Sequence, residues 1–282
     1  MAVAVTAAGC THPLPGSVAG APVLEVATGL YPLGQAASLI GQTKVKVLDV
    51  VPDGSNPFTY TLGAGEAAAV HRAGLAVEVG GGLQPSFEAA AGGARAVVAV
   101  RSAAGAGAAA NPYVWLDPAT MGRVVTAVAG AMERADPPAA PLFRRNAATL
   151  QQEISSLAID YSSTLAPCPG TTLVTPDTAF SAMAASSGRH TVVVGAGAGA
   201  AEVAAAARTV QQVTATPVIR EPWVDDSGVA AVAAAARVKL RTLDTLAGAP
   251  AGGWPHGAGY FALMEQNLGT LSSLLGCGPQ TP

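Results

Sequence analysis

The segment from Pro137 to Gly170, PPAAPLFRRNAATLQQEISSLAIDYSSTLAPCPG, constrains this chain more than any other. Its apolar residues Phe143, Ala147, Leu150, Ile154, Leu157, Tyr161 and Leu165 recur at steps of three and four, which lays them on one face of a helix. Prolines open it, and Pro167 with Gly170 closes it. At about 1.5 Å per residue such a helix runs roughly 35 Å, the width of a whole domain. On either side the pattern is short and alternating. VLEVAT, KVKVLDVV, LAVEV and AVVAV precede it as strand-like runs, with helical stretches starting near Leu33, Gly65 and Ser86. TTLVT, HTVVV, TPVIR and VKLRTLD follow it, separated by Ala-rich helical stretches. The expected fold is α/β: two lobes, each a small and mostly parallel sheet flanked by helices, joined by one rigid helix with a ligand cleft between them. The expected divisions are a leader remnant and tether over 1–21, a first lobe over 22–136, the connecting helix over 137–167 and a second lobe over 168–282.

Composition narrows the partners. Charged residues are 12% of the chain and the formal net charge is −3, so there is no basic surface for a phosphate backbone and no nucleic-acid partner is expected. The apolar runs are far shorter than the roughly 20 residues that span a bilayer. MAVAVTAAGC is small and apolar and ends on Cys10, and THPLPGSVAGAP follows as a Pro/Gly-rich tether that holds His12. This resembles the end of a bacterial lipoprotein signal, in which small residues precede a cysteine that takes the lipid. The chain is expected to begin inside such a signal, with Cys10 as the lipidation residue. An Ala-rich terminus with an incidental cysteine is the other reading. Contact with the membrane is then through the anchor only, and the lobes lie outside the cytoplasm. Cys168, in APCPG, and Cys277 fit an oxidising compartment and are expected to form a bridge; two buried thiols are the alternative.

Four loops carry the residues that can bind something. VVPDGSNPFTYTL offers Phe58 and Tyr60, NPYVWLDP offers Tyr113 and Trp115, LVTPDTAF offers Asp177 where a helix is expected to begin, and LRTLDTLAG offers Asp244. Ligands of open α/β sheets bind outside the C-terminal ends of the strands, where all four loops fall, two from each lobe. A fifth stretch, TVVVGAGAGAAE, follows a strand with Gly195, Gly197 and Gly199 and has Glu221 some twenty residues on, which approaches a dinucleotide fingerprint; Glu221, at a strand end of the second lobe, is also expected among the residues of the cleft. In a chain with 33 glycines such a run also arises from composition alone.

The order TGLYPLGQAASLIG, VPDGSNPFTY, NPYVWLDP, the long helix, VTPDTAF, IREPW, LD and YFALMEQNLGTL resembles, over nearly the whole chain, the zinc and manganese solute-binding proteins of bacterial ABC transporters. VWLDP and the Y…M…NL element carry the resemblance best. It implies the two-lobed periplasmic binding protein fold, export with lipid anchoring to the bacterial cell membrane, an ABC permease as partner and a metal site in the cleft. The ligands depart from the family. Where the family has a histidine after the proline of each of two loops, this chain has Phe58 and Tyr113; at the third position, His or Glu, it has Asp177; the fourth, acidic, is kept as Asp244. A phenyl ring cannot ligate, and a phenol must first lose its proton. Asp177 and Asp244 are left to hold a hard divalent cation weakly, Mn²⁺ or Ca²⁺ more readily than Zn²⁺. The alternatives are Phe58 packing on Tyr113 across the closed lobes and Asp177 serving as a helix N-cap.

The histidines offer one substitute. His71 lies on a helix flank and His190 before a strand, both expected to face solvent, whereas His256 in GGWPHGAGY follows Asp244 in a loop that can fold back over the cleft. No nucleophile and base pairing falls at the cleft, so no enzyme and no required cofactor are expected. The reading is an extracytoplasmic solute-binding component of a metal-type ABC importer with an altered site, taking a divalent metal or another small ligand. A surface interaction protein that kept the fold and lost capture is the alternative. An NAD-dependent enzyme using Gly195 to Gly199 is a third.

Overall fold

The computed structural model describes residues 23–105, 111–213, 216–254 and 259–277, so Cys10, His12 and His256 lie outside the described residues. The first lobe runs β1 (Leu24–Thr28), α1 (Tyr31–Gly41), β2 (Val45–Asp49), α2 (Ala64–Arg72), β3 (Leu75–Glu78), α3 (Pro85–Ala91), β4 (Val97–Ala99), α4 (Val100–Ala103) and α5 (Pro118–Ala135). The spine α6 (Ala140–Leu165) follows. The second lobe runs β5 (Thr172–Thr175), α7 (Ser181–Ser186), β6 (His190–Val193), α8 (Ala200–Gln212), β7 (Val218–Arg220), α9 (Ser227–Ala236), β8 (Leu240–Thr242) and α10 (Tyr260–Leu274). Every strand pairing is parallel, and the orders β2-β1-β3-β4 and β6-β5-β7-β8 repeat one topology. In each sheet the order reverses beside the first strand. That puts a crevice at the C-terminal ends of β1 and β3 in one lobe and of β5 and β7 in the other.

Burial follows position in the sheet. Central β1 and β5 are almost wholly buried, whereas the edge strands β2 and β6 have no buried residue at all. The spine buries Phe143, Ala147, Leu150, Ile154, Leu157, Tyr161 and Leu165, the seven residues of its apolar stripe. A 3₁₀ turn over Pro137–Ala139 precedes it, because consecutive prolines lack the amides that a helix interior would use. One apolar core runs from Leu24 through α5 and α6 to Leu275 and so belongs to both lobes. Two satellite cores lie between α8, α9 and the second sheet and between α2, α3 and the first. Because the main core does not break at the lobe boundary, the lobes form one packed body around the spine.

The helices that carry the family-like motifs are fixed by specific bonds. Asp117 caps α5 by accepting from Thr120 N (3.0 Å), with Pro118 as the first helical residue. On α10, Tyr260 Oη donates to Trp115 O (2.7 Å) and Tyr161 Oη of the spine donates to Met264 O (2.7 Å). A disulfide joins Cys168, just beyond α6, to Cys277, just beyond α10, with Cα atoms 4.4 Å apart and a sequence separation of 109. Replacing both cysteines by alanine is expected to lower the free energy of unfolding by about 3 kcal/mol, since the unfolded chain regains the freedom of a long closed loop. Denaturant melts at equal slope measure it, and an unchanged midpoint would show that the bridge constrains little.

Candidate functional site

Two loops of the first lobe repeat one device. Asn56 Oδ1 accepts from Phe58 N and Asn111 Oδ1 accepts from Tyr113 N, each at 2.9 Å, so each Asn-Pro-aromatic turn fixes the direction of its ring. The amide ends of the same side chains cross to the other lobe: Asn56 Nδ2 donates to Trp223 O (3.1 Å), and Asn111 Nδ2 to Thr178 O (2.9 Å) and Ala179 O (3.2 Å). Gln84, buried at the β1 and β3 crevice, supports the first loop by donating to Gly29 O (2.8 Å) and Pro57 O (2.9 Å). Phe58 packs edge-on to Tyr113 at 5.5 Å, and Tyr113 to Trp115 at 5.6 Å. Both rings of the first pair belong to the first lobe, which corrects the expectation that they meet across the lobes. What crosses is the Tyr113 hydroxyl, which donates to Asp177 Oδ2 at 2.8 Å.

In the second lobe the reversal of strand order brings together the residues that follow β5 and β7. Asp177 Oδ1 accepts from Ala179 N (2.6 Å), and its backbone carbonyl accepts from Thr175 Oγ1 (2.7 Å). It closes a turn rather than capping a helix, because α7 starts four residues later at Ser181. Beside it lies Glu221, only 4% exposed, with the Asp177 carboxyl as its hydrogen-bonding neighbour. Burial first, and the Asp177 carboxyl second, push its pKa up to about 9. The Tyr113 phenol is pushed far above its ordinary value by burial, then by Asp177, with Glu221 adding to it. Two non-glycine residues next to the cleft, Trp223 (φ +73°) and Leu246 (φ +57°), hold left-handed backbone that packing must enforce.

The other expected residues take different places. Asp244 is held by α10: its N–H donates to Asn267 Oδ1 (3.1 Å), Asn267 Nδ2 donates to its carbonyl (2.7 Å), and its Oδ1 accepts from Leu246 N (2.7 Å). Burial raises its pKa. Trp115 is fully buried beneath Tyr113 and donates to Thr245 O (2.7 Å), so it is a floor and not a contact surface. Tyr60 turns to Glu66 Oε1 at the head of α2 (2.8 Å), away from the carboxyl pair. His71 and His190 are exposed. Gly195, Gly197 and Gly199 do follow β6 and precede α8, but none has the positive φ of a tight phosphate turn, and Gly228 of α9 abuts the carbonyls of Val194 and Gly195. Glu221 faces Asp177 instead of that loop.

Among the described residues no three or more His, Cys, Asp or Glu side chains are gathered as a ready metal cage. A cavity of about 470 Å³ shares Tyr113 with the site but has neither Asp177 nor Glu221 in its wall. Its buried polar groups are already paired, Asn111 with Thr178 and Asp117 with Ser186 (2.9 Å). The chemistry therefore sits at the carboxyl pair. The sequence places Glu221 among the cleft residues, but Asn56 and Asn111 were passed over. The repeated Asn-Pro-aromatic was the signal available for the latter.

Among the described residues no helix is long and apolar enough to cross a membrane. The profile of the family described as the periplasmic component A of zinc-uptake complexes, ZnuA, matches residues 26–274. The zinc-binding protein AdcA of Streptococcus pyogenes is 28% identical over 166 residues, 57% of this chain and 32% of that one. This chain thus spans about a third of the length of the curated relatives it matches. Among solved structures, the periplasmic zinc-binding protein TroA of Treponema pallidum superposes with a TM-score of 0.76 at 21% identity, covering 91% of this chain and 100% of that one. The metal-dependent lipoprotein YcdH of Bacillus subtilis gives 0.74 at 21% identity, over 89% and 99%.

Proposed function

The chain belongs to the zinc-uptake complex component A family of periplasmic proteins, and from that premise we propose that it is the solute-binding component of a metal-type ABC importer whose site no longer captures zinc tightly. The observation that carries this reading is the meeting of Asp177, Glu221 and the Tyr113 hydroxyl between the lobes, with Phe58 in contact with the tyrosine and no imidazole among the described groups there. Tetrahedral zinc sites draw on thiolate, imidazole and carboxylate. Phe58 supplies no lone pair, and burial and Asp177 push the Tyr113 phenol above its ordinary value, which disfavours the phenolate that a metal needs.

The family is one of transport components, so the site is read as a place of capture and release and not of reaction. The cargo is a weakly held divalent cation, Asp177 is one ligand, and Asp244 stands in the loop after β8, held by Asn267 of α10. The partner is an ABC permease. Cys10 is read as the lipid-anchored residue at the bacterial cell membrane; the likeness to YcdH, itself described as a lipoprotein, supports this.

Calorimetry against a weak competing chelator tests the reading. Zn²⁺ is expected to bind with a dissociation constant on the order of micromolar or weaker, with Asp177→Asn weakening it further. Nanomolar binding by the unaltered chain would overturn the altered-site reading and make His256 the first residue to replace. Binding that ignores Asp177→Asn would move the site elsewhere.

A further inference from the structure

We propose that segment 247–254 of the second lobe is a detachable strap laid on the first lobe, and that its release, with the spine unbent, is the first step by which the interlobe cleft opens. The motion belongs to the chain without any ligand. Only its service to a cargo rests on the transport reading.

The attachment is made of backbone. From Ala247 to Gly253 the strap holds nothing but alanine, glycine and proline, so it reaches the first lobe through its carbonyls. Ala247 O accepts from Tyr31 N (3.1 Å), the first residue of α1, and Ala249 O accepts from Gly54 N (2.8 Å) in the loop after β2. Glycine makes the seat: a Cβ on Gly54 would fall 3.0 Å from Ala251 Cβ, and one on Gly248 would fall 3.3 Å from Pro57 Cδ. Gly253 N closes the tip in a turn on Pro250 O (2.9 Å), and beyond it Trp254, the one large side chain of the strap, packs at 5.6 Å on the Tyr31 ring. Elsewhere along the cleft the lobes are joined by side chains, those of Asn56, Asn111 and Tyr113.

The closed strap carries two costs that lifting relieves. Leu246, at its root, is fully buried with φ +57°, a left-handed backbone that disfavours any residue with a Cβ. The Trp254 Nε1–H is buried with no acceptor among the described residues, and water supplies one once the ring lifts. The two carbonyls and two amides exchange each other for water at little net loss. Such a segment lies at the low-stability end of a fold, where local opening precedes global unfolding. The main core, continuous through α5 and α6, lies at the other end.

Its place gives the motion a consequence. Gly248 presses on Pro57, next to Phe58, and Leu246 N is bonded to Asp244 Oδ1 (2.7 Å). Release therefore frees the loops after β2 and β8 together, one from each lobe.

The test is amide exchange followed by NMR in the whole, chelator-treated chain, under conditions where closing outpaces exchange. The Tyr31 and Gly54 amides are expected to share one opening constant, at least about 100-fold larger than that of Val174 N, which is bonded to Pro217 O inside the second sheet. Gly248 does not have a positive φ, so a side chain there meets the Pro57 ring without straining a left-handed backbone. Gly248→Val is expected to raise the shared constant at least about tenfold and to leave Val174 and the α6 amides unchanged. Pro57→Ala in the same chain removes the obstructing Cγ and Cδ and is expected to restore most of the loss. Exchange of Tyr31 and Gly54 only through global unfolding, or with two unrelated constants, would overturn the proposal. So would a Gly248→Val chain that loosens every amide alike or none, or one that Pro57→Ala does not rescue. No ion is present in these measurements, so each of those outcomes leaves the transport reading standing, and metal binding by the unaltered chain decides that reading separately.

Discussion

Placing histidine at both aromatic positions, Phe58→His with Tyr113→His, is expected to tighten zinc binding by roughly three orders of magnitude, about 4 kcal/mol. The two rings stand 5.5 Å apart and the tyrosine already reaches Asp177, with Glu221 alongside. Imidazoles in their place would face two carboxylates and make a four-ligand set of the kind zinc prefers. The Asn56 and Asn111 turns that aim the rings act through backbone N–H groups, so they survive the exchange. Each single change should gain far less than half of the total, because ligands of one shell couple. Competition calorimetry of the four proteins measures this. A folded double variant with unaltered affinity would mean that these positions do not converge on one ion.

The metal-free protein is also expected to be more stable at pH 5 than at pH 8, and Glu221→Gln to remove most of that difference. In the unfolded chain Glu221 ionises near 4.5, and in the folded protein near 9. Between those values the folded form keeps a proton that the unfolded chain has released, so each unit of rising pH weakens folding by up to about 1.4 kcal/mol. The contribution is whole below pH 4.5 and gone above pH 9. From pH 5 to pH 8 the loss is on the order of 4 kcal/mol. Asp49, raised to about 6 mainly by burial, acts in the same direction at the acid end of the range. Glutamine keeps the shape of the neutral acid at every pH, so the variant should outlast the parent at pH 8. Chelator-treated samples melted across the range decide it, and parallel profiles for the two proteins would show that Glu221 carries no buried proton.

The frame of the molecule was legible in the sequence because periodicity reports burial. The seven apolar residues of α6 are the seven it buries, and all eight strand-like runs contain strands. Strand order was not legible, since nothing in a run such as TPVIR says which neighbour it pairs with. Glu221 and Asp177 were both expected at the cleft, but that they stand side by side follows from β5 pairing β7. The Phe58 and Tyr113 contact was anticipated as a pair but assigned to the wrong boundary. Two loops of one lobe can fold onto the same crevice, and sequence distance does not reveal it. Asp177 looked like a helix cap because aspartate before a small-residue run commonly is one, yet the turn through Thr178 to Phe180 delays the helix.

The bond between Cys168 and Cys277 encloses every strand of the second sheet in a covalent ring. Tension applied to the chain on either side of that ring would pass from the end of the spine straight into the C-terminal segment. The stretch between the two cysteines, a sequence separation of 109 and roughly 370 Å of extended chain, would bear no load. Under force the molecule would therefore lengthen as if only its first lobe and spine existed, and the half that supplies both carboxylates would keep its geometry until the sulfurs are reduced.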